Sequence, residues 1–302
     1  MRRRLLGGAL TALLLGVAAC AGPDGSAATG RSPIETPRDL AAVAERLDLL
    51  SQRIGGTPRQ RTAGEVLQYH AYQDPVRRCM AAAGHRYEPP PFVDPYRGRT
   101  VIHMGLGTGW WLAPLGGERL GVTDTAELAG PDPEQWPSAP ADQESFQSAL
   151  SGCIPVATPE VNFPPAYGPL AERFDRMVGR VSHDRRVRAA GAGYPDCMAR
   201  GGFPVGNQPE LFELISARRG DARPPAPGAP PDARWAALVA QERAAARRDA
   251  ECRRPAWQAA LRAVAPELAE FERSRRDDLA AVARQWDEMV RQAAAHPEFP
   301  AG

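Results

Sequence analysis

Lysine is absent from this sequence of 302 residues, so all 37 of its basic side chains are arginines. This absence excludes two kinds of chemistry. A Walker-type phosphate loop needs a lysine that reaches the phosphates, and a Schiff-base enzyme needs a lysine amine. The chain is therefore neither a P-loop nucleotide hydrolase nor a lysine-dependent Schiff-base enzyme.

The N-terminal apolar stretch is too short to cross a bilayer. It runs from Leu5 to Val17, which is 13 residues, whereas a membrane-spanning helix needs roughly 20. Three arginines, Arg2 to Arg4, precede it, and the small residues Ala18 and Ala19 follow. A basic start, a short apolar stretch and small residues are the three parts of a secretory signal.

The segment Val17-Ala18-Ala19-Cys20 resembles the lipobox of bacterial lipoproteins. The resemblance implies that residues 1–19 are a lipoprotein signal peptide and that lipid on Cys20 holds the mature chain on the outer face of the cytoplasmic membrane. An ordinary signal peptide with an incidental Cys20 is the alternative. The run from Arg2 to Leu6 also resembles a twin-arginine export signal, so the export route stays open.

Cleavage before Cys20 changes the charge and defines a tether. Residues 1–19 contain three arginines and no acidic residue, so their removal changes the net charge from +1 to −2. A nearly neutral chain gives no reason to expect a nucleic-acid partner. Residues 20–36 are rich in small and polar residues, which predicts a flexible tether ahead of the folded domain.

The mature domain has four more cysteines: Cys79, Cys153, Cys197 and Cys252. An even number of cysteines in an exported chain predicts disulfides, and four cysteines allow three connectivities. The sequence has no CxxC motif and no histidine at zinc-finger spacing from these cysteines. We therefore expect no metal site there. Free buried thiols are the alternative.

Two of the cysteines stand in similar contexts. Cys79-Met80 is followed by Gly84, and Cys197-Met198 is followed by two glycines at 201 and 202. Both segments have the pattern of a helix end, with glycine as the terminator. A weak internal duplication would pair Cys79 with Cys153 and Cys197 with Cys252. Coincidence between two common helix ends is the competing explanation. Cys79 shares the apolar face of its helix, so its bridge is expected to be buried.

These marks resemble a family of uncharacterised secreted lipoproteins of actinobacteria. The shared features are the lipobox, the two Cys-Met-x3-Gly segments, Gly152-Cys153, and Asp249-x-x-Cys-Arg253 at the opening of a long helical region. The resemblance covers roughly residues 63–290. It supports the exported address and the cysteine pairing, and it implies no activity.

Apolar residues three or four apart predict helices through most of the domain. Asp74-Pro75 is expected to restart or kink one of them. The pattern predicts an all-α fold stapled by disulfides, with a long irregular Pro/Gly-rich segment and a C-terminal helical hairpin. The predicted domain is 37–302, with halves 37–165 and 166–302 and a linker near 220–231. The predicted helices are 38–54, 63–83, 142–153, about 170–181, 184–197, 209–219, 232–253 and 266–294.

Residues 86–140 are irregular and rich in proline and glycine, with a short strand or hairpin expected between Arg99 and Leu115. The candidate ligand or partner surface lies in this region and comprises Tyr96, His103, Trp110 and Trp111. Aromatic side chains beside few charges are typical of surfaces that meet sugars or proteins. The alternative is that the aromatic rings fill the core beneath the loop.

No set of residues in the sequence indicates a particular catalytic reaction. The five histidines form no HxxxH motif, and no Gly-x-Ser-x-Gly is present, so we expect structural histidines, no catalytic set, no metal and no cofactor. Asp249 is expected to be structural, with an arginine or a helix N-terminus as its partner if it is buried. The favoured function is a lipid-anchored binding or scaffold module that meets an envelope protein or a cell-wall polymer. The alternatives are a cell-envelope hydrolase with its site in residues 86–140 and a solute-binding lipoprotein of a transporter.

Overall fold

The computed structural model describes residues 36–97, 106–115, 120–123, 142–154, 160–225 and 229–300. The predicted all-α class is confirmed, because these ranges contain nine α-helices, one 3-10 helix and no strand. The 3-10 helix is Leu106–Leu112. The α-helices are α1 (Pro37–Gly55), α2 (Pro58–Ala82), α3 (Gln143–Cys153), α4 (Tyr167–Ser182), α5 (Arg185–Gly191), α6 (Tyr194–Arg200), α7 (Gln208–Arg219), α8 (Ala233–Ser274) and α9 (Arg276–Ala293).

The first two helices begin with the same local sequence. Thr36 and Thr57 each cap a helix whose first residue is proline, and each threonine side chain accepts the N–H of the residue three positions later. In return, the side chains of Asp39 and Gln60 accept the backbone N–H of their threonines. These reciprocal capping boxes satisfy amide groups that a helix start otherwise leaves unpaired.

Helix α8 is the central element of the fold. Its 42 residues span about 63 Å at 1.5 Å per residue, and it packs against α1, α4, α5, α6, α7 and the 3-10 helix. The sequence predicts a break between 253 and 266, but α8 continues through Pro255 and Pro266 and ends at Ser274. Both prolines lie on the exposed side of the helix. A lost backbone hydrogen bond is tolerated best where water can replace it.

The last helix packs mainly on α2. Trp286 on α9 is fully buried, and its indole N–H donates to the carbonyl of Ile54 at 3.1 Å. A Cβ on Gly56 would lie 2.9 Å from the Trp286 ring, so this glycine allows the turn between α1 and α2 to pass over the indole. Helix α2 runs through Pro75 without the restart that the sequence predicts.

Two shorter segments also differ from the sequence predictions. The predicted helix over 184–197 is divided into α5 and α6, because residues 192 and 193 interrupt it. Residues 106–112 form a 3-10 helix where a strand or hairpin was expected. The expected linker at 220–231 lies between α7 and α8.

Both predicted disulfides are present. Cys79 pairs with Cys153, with 5.5 Å between their Cα atoms, and Cys197 pairs with Cys252, with 5.6 Å. The expectation that the first bridge is buried is wrong for one of its ends, because Cys79 is exposed whereas Cys153 is buried. Cys252 is buried on α8, so the second bridge fastens α6 directly to the central helix.

The two Cys-Met segments have the same backbone ending. Met80 and Met198 are both fully buried. In each segment the N–H five residues after the methionine donates to the methionine carbonyl, at 2.9 Å in the first and 3.1 Å in the second. Gly84 and Gly202 have φ values of 82° and 84°, which only glycine adopts without strain. The likeness seen in sequence is therefore also a likeness of local structure.

The folded part of the chain is one compact unit, residues 35–302. The two predicted halves, 37–165 and 166–302, pack against each other within this unit, because α1 contacts α8 and α2 contacts α9. None of the helices in the described ranges combines the length and the apolar content needed to cross a membrane.

Candidate functional site

A groove of about 450 Å³ runs between α2 and the proline-rich segment that follows it. Helix α2 supplies its floor, since five of the lining residues lie on one face of that helix at spacings of three and four. The segment 90–93 supplies the opposite wall. The groove is lined by Glu65, Gln68, Tyr69, Tyr72, Gln73, Pro90, Pro91, Phe92 and Val93.

Tyr69 holds the two sides of the groove together. Its hydroxyl donates to the carbonyl of Pro90 at 2.7 Å. Its ring lies edge-on to Phe92, with the ring centroids 5.6 Å apart. Burial raises the pKa of Tyr69, and the negative charge of Glu298 raises it further. The hydroxyl is therefore a neutral donor at physiological pH.

The oxygen atoms of both amide side chains in the groove already accept hydrogen bonds. The Gln68 oxygen accepts the backbone N–H of Val161 at 2.8 Å, and the Gln73 oxygen accepts the hydroxyl of Tyr87 at 2.8 Å. Among the described residues, neither amide nitrogen has a hydrogen bond in the structure. The two NH₂ groups are therefore fixed donors available to a ligand.

A glycine on α2 permits the contact that orients Gln68. A Cβ on Gly64 would lie 2.2 Å from the carbonyl oxygen of Asn162, so only glycine lets that backbone approach the helix. The approach brings Val161 to Gln68 and brings the Asn162 amide to within 3.4 Å of the Glu65 carboxylate. The segment after residue 160 thus sets the polar end of the groove.

The groove is nearly free of charge although the chain has 37 arginines. Glu65 is the one ionisable acid or base among its lining residues, apart from the tyrosines. Aromatic rings, amide donors and a single carboxylate suit a neutral ligand with hydroxyl or amide groups. An anionic ligand would meet no cation in this lining.

A second cavity, of about 390 Å³, has the opposite character. It lies between α4 and the end of α8. Four arginines and two glutamates line it. Arg180 pairs with Glu267 at 2.7 Å, and Arg176 pairs with Glu172, which lies outside the lining. The cavity is lined by Arg173, Arg176, Met177, Arg180, Glu267, Glu270, Phe271, Ser274 and Arg275.

The residues predicted to form a ligand surface do not lie in the groove. Tyr96 is half-buried, and its hydroxyl accepts hydrogen bonds from Arg61, the shorter at 2.6 Å. Trp110 and Trp111 stack on each other with centroids 3.6 Å apart and pack against the Tyr194 ring. His103 lies outside the described residues. Tyr96 and the two tryptophans thus make packing contacts within the fold.

A buried ion pair fixes the backbone beside the tryptophans. Arg253 donates to the carbonyls of Trp110, Ala113 and Pro114, and it pairs with Asp249 at 3.0 Å. Asp249 is buried and has an arginine as its partner, which is one of the two partners that the sequence predicts for it. Glu242 on the same helix accepts the backbone N–H groups of residues 122 and 123. These charged groups hold residues 110–114 and residues 122–123 against α8.

One side chain of α2 and two side chains near the C-terminal end of the sequence meet beside the groove. His70 on α2 lies 2.9 Å from Glu298, measured between Nε2 and Oε2, and its ring stacks on His296 with centroids 3.9 Å apart. The sequence predicts that both histidines are structural and that no metal binds there. Their separation of more than 220 residues leaves no spacing motif. The one feature of the sequence that could have pointed to this cluster is the pair His296-x-Glu298 near the C-terminal end.

Comparison of the chain with protein-family models, with curated proteins and with solved structures gives no match. A function for this chain therefore has to rest on the residues and on their geometry.

Proposed function

We propose that the chain is a lipid-anchored, extracytoplasmic binding module whose groove on α2 holds a neutral glycan of the cell envelope. The observation that carries the proposal is the groove lining, in which Tyr69, Tyr72 and Phe92 stand beside the amides of Gln68 and Gln73. No reaction is assigned to it.

The chemistry of the lining favours a sugar. Tyrosine and phenylalanine rings offer flat apolar faces to the C–H faces of a pyranose ring, and polar groups at their edge set its orientation. The free NH₂ groups of Gln68 and Gln73 suit hydroxyl or acetamido oxygens. The Glu65 carboxylate suits hydroxyl hydrogens. The volume lies in the range of small-molecule sites, about 300–1,000 Å³.

The proposed extracytoplasmic localisation is supported by two independent features. The sequence from Arg2 to Cys20 has the layout of a lipoprotein signal. The two disulfides agree with an oxidising compartment outside the cytoplasm. In this proposal lipid on Cys20 holds the folded domain at the membrane. Residues 20–36 are the flexible tether that lets the groove contact the envelope at a distance from the membrane.

The test is calorimetric titration of the purified mature chain with a neutral N-acetylglucosamine tetramer. We expect saturable binding that Tyr72→Ala weakens about tenfold or more, as expected for loss of one aromatic anchor. Phe212→Ala, at an aromatic residue that is 46% exposed on α7, is the matched control and leaves binding unchanged. Thermal unfolding of both variants checks that they fold.

Other outcomes separate the rival functions. Binding of a proline-rich peptide at the groove, with no binding of the tetramer, would overturn the glycan assignment. Shortening of the tetramer, detected by mass spectrometry, would show a hydrolase. Binding that Tyr72→Ala leaves unchanged would place the ligand elsewhere on the chain.

A further inference from the structure

Side chains from α2 and from the chain after α9 bring three metal-binding groups together. One ring nitrogen of His70, one ring nitrogen of His296 and one carboxylate oxygen of Glu298 all lie within 4.8 Å of one another. His70 and His296 stack with an interplanar angle of 23°, so their ring edges run side by side.

We propose that His70, His296 and Glu298 bind one divalent transition-metal ion of the zinc class. Two imidazoles and one carboxylate are a ligand set that Zn²⁺ takes readily. Metal–ligand bonds of about 2.0–2.2 Å in a tetrahedral site hold the ligand atoms about 3.3–3.5 Å apart. An imidazole nitrogen binds a metal in the plane of its ring, so the two stacked rings must tilt apart as the ligand atoms move to that spacing.

A carboxylate behind the first ligand supports the assignment. His70 Nδ1 lies 3.6 Å from the Asp74 carboxylate, one helical turn along α2, while its Nε2 faces Glu298. A histidine that binds a metal usually turns its other nitrogen to a carboxylate or carbonyl, which fixes its tautomer. Asp74 is itself held by Arg77 at 3.0 Å. In the metal-bound form Asp74 would be the positioning residue for His70, once this contact shortens to a hydrogen bond.

The cluster is accessible to an ion from solvent. The His70 side chain is 15% exposed and the Glu298 side chain is 26% exposed. Three protein ligands leave the fourth tetrahedral position to water, as in zinc sites that keep an open position. The ion would also offset the negative charge of Glu298.

A bound ion would clip the C-terminal segment to α2. That segment already contacts the helix start, because Arg59 donates to the carbonyl of Pro300 at 3.2 Å and lies 4.6 Å above the Phe299 ring. The metal would add a direct link between α2 and residues 296–298. Tyr69 contacts the His70 ring edge-on, at 5.2 Å between centroids, and lines the groove on its other side. The metal site thus adjoins the groove, but the assignment does not depend on any ligand there.

The first measurement is calorimetric titration of the purified, EDTA-treated mature chain with Zn²⁺. We expect one saturable site, a rise in the unfolding temperature on binding, and no comparable binding of Mg²⁺, which prefers oxygen ligands. A Co²⁺ visible spectrum of tetrahedral intensity would support the nitrogen and oxygen ligand set. Absence of a saturable Zn²⁺ site would overturn the proposal.

The variants locate the ion. His296→Gln and Glu298→Gln each weaken Zn²⁺ binding about tenfold or more, and Asp74→Asn weakens it by about 10–100-fold. Both ligand variants lie after α9, so they leave the helices intact even if His70→Gln does not fold. His183→Gln changes an exposed histidine at the end of α4 and is the matched control. Equal affinity in His296→Gln, Glu298→Gln and the control would contradict the assignment.

Discussion

Asp249 and Arg253 form an ion pair in which neither side chain is more than 4% exposed, with 3.0 Å between the carboxylate and the guanidinium. The pair lies one turn apart on α8. Tyr194 donates its hydroxyl to the same carboxylate at 2.8 Å. A charge in this setting is stable only while its partner is present, because water cannot replace it.

The first prediction concerns this pair. Asp249→Asn should lower the free energy of unfolding by about 3–5 kcal/mol, since it leaves the Arg253 charge buried and unpaired. The exposed pair Glu172 and Arg176 has the same spacing of four residues on α4, so Glu172→Gln is the matched control and should cost at most about 0.5 kcal/mol. Urea unfolding measures both. A similar loss in the two variants would contradict the account.

The second prediction concerns stability at alkaline pH. Burial raises the pKa of Tyr194 above 10.0, the ordinary tyrosine value, and the adjacent Asp249 charge raises it further. The folded chain holds this proton more tightly than the unfolded chain. The stabilisation is therefore complete below the unfolded pKa and is lost as the pH rises above it. The unfolding temperature of Tyr194→Phe should fall less than that of the wild-type chain between about pH 9 and about pH 11.

The third prediction concerns the glycines around α5. A Cβ on Gly191 would lie 2.5 Å from the Trp111 ring, whereas a Cβ on Gly193 meets nothing within 4 Å. Gly191→Ala should therefore destabilise the fold by about 1–3 kcal/mol through overpacking. Gly193→Ala should be close to neutral. Denaturant unfolding of the two variants decides the point, and equal stability would show that Trp111 has room to move.

The fourth prediction concerns the order in which the disulfides are reduced. Cys79 is exposed, whereas Cys197 is half-buried and Cys252 is buried. A reductant reaches an exposed sulfur more readily, so the bridge between Cys79 and Cys153 should open first. Limiting reductant, alkylation of the new thiols and peptide mass spectrometry give the order. Earlier labelling of Cys197 and Cys252 would contradict the prediction.

Periodicity predicted the elements whose apolar faces meet the core. The predicted spans 38–54 and 142–153 differ by at most one residue at either end from α1 and α3. The cysteine pairing was also predictable, because both Cys-Met segments have the same helix-end pattern.

Two features of the fold were not predictable from the sequence: the helix that continues through prolines, and the contacts between residues far apart in sequence. A proline usually ends a helix, but Pro255 and Pro266 lie on the exposed side of α8, where tertiary packing of the opposite face outweighs one lost hydrogen bond. The groove depends on how α2 meets residues 90–93, and no local pattern encodes that contact. His70 and Glu298 meet across 228 positions, so only the tertiary fold brings them together.

The proposed function depends on the localisation of the protein at the membrane through lipid on Cys20. The intact mass of the protein extracted from membranes is the most direct test of this localisation. We expect that residues 1–19 are missing, that Cys20 carries a thioether-linked diacylglycerol, and that the other four cysteines form two disulfides. A chain that retains residues 1–19, or one with a free thiol at Cys20, would contradict the claim that lipid on this cysteine anchors the module.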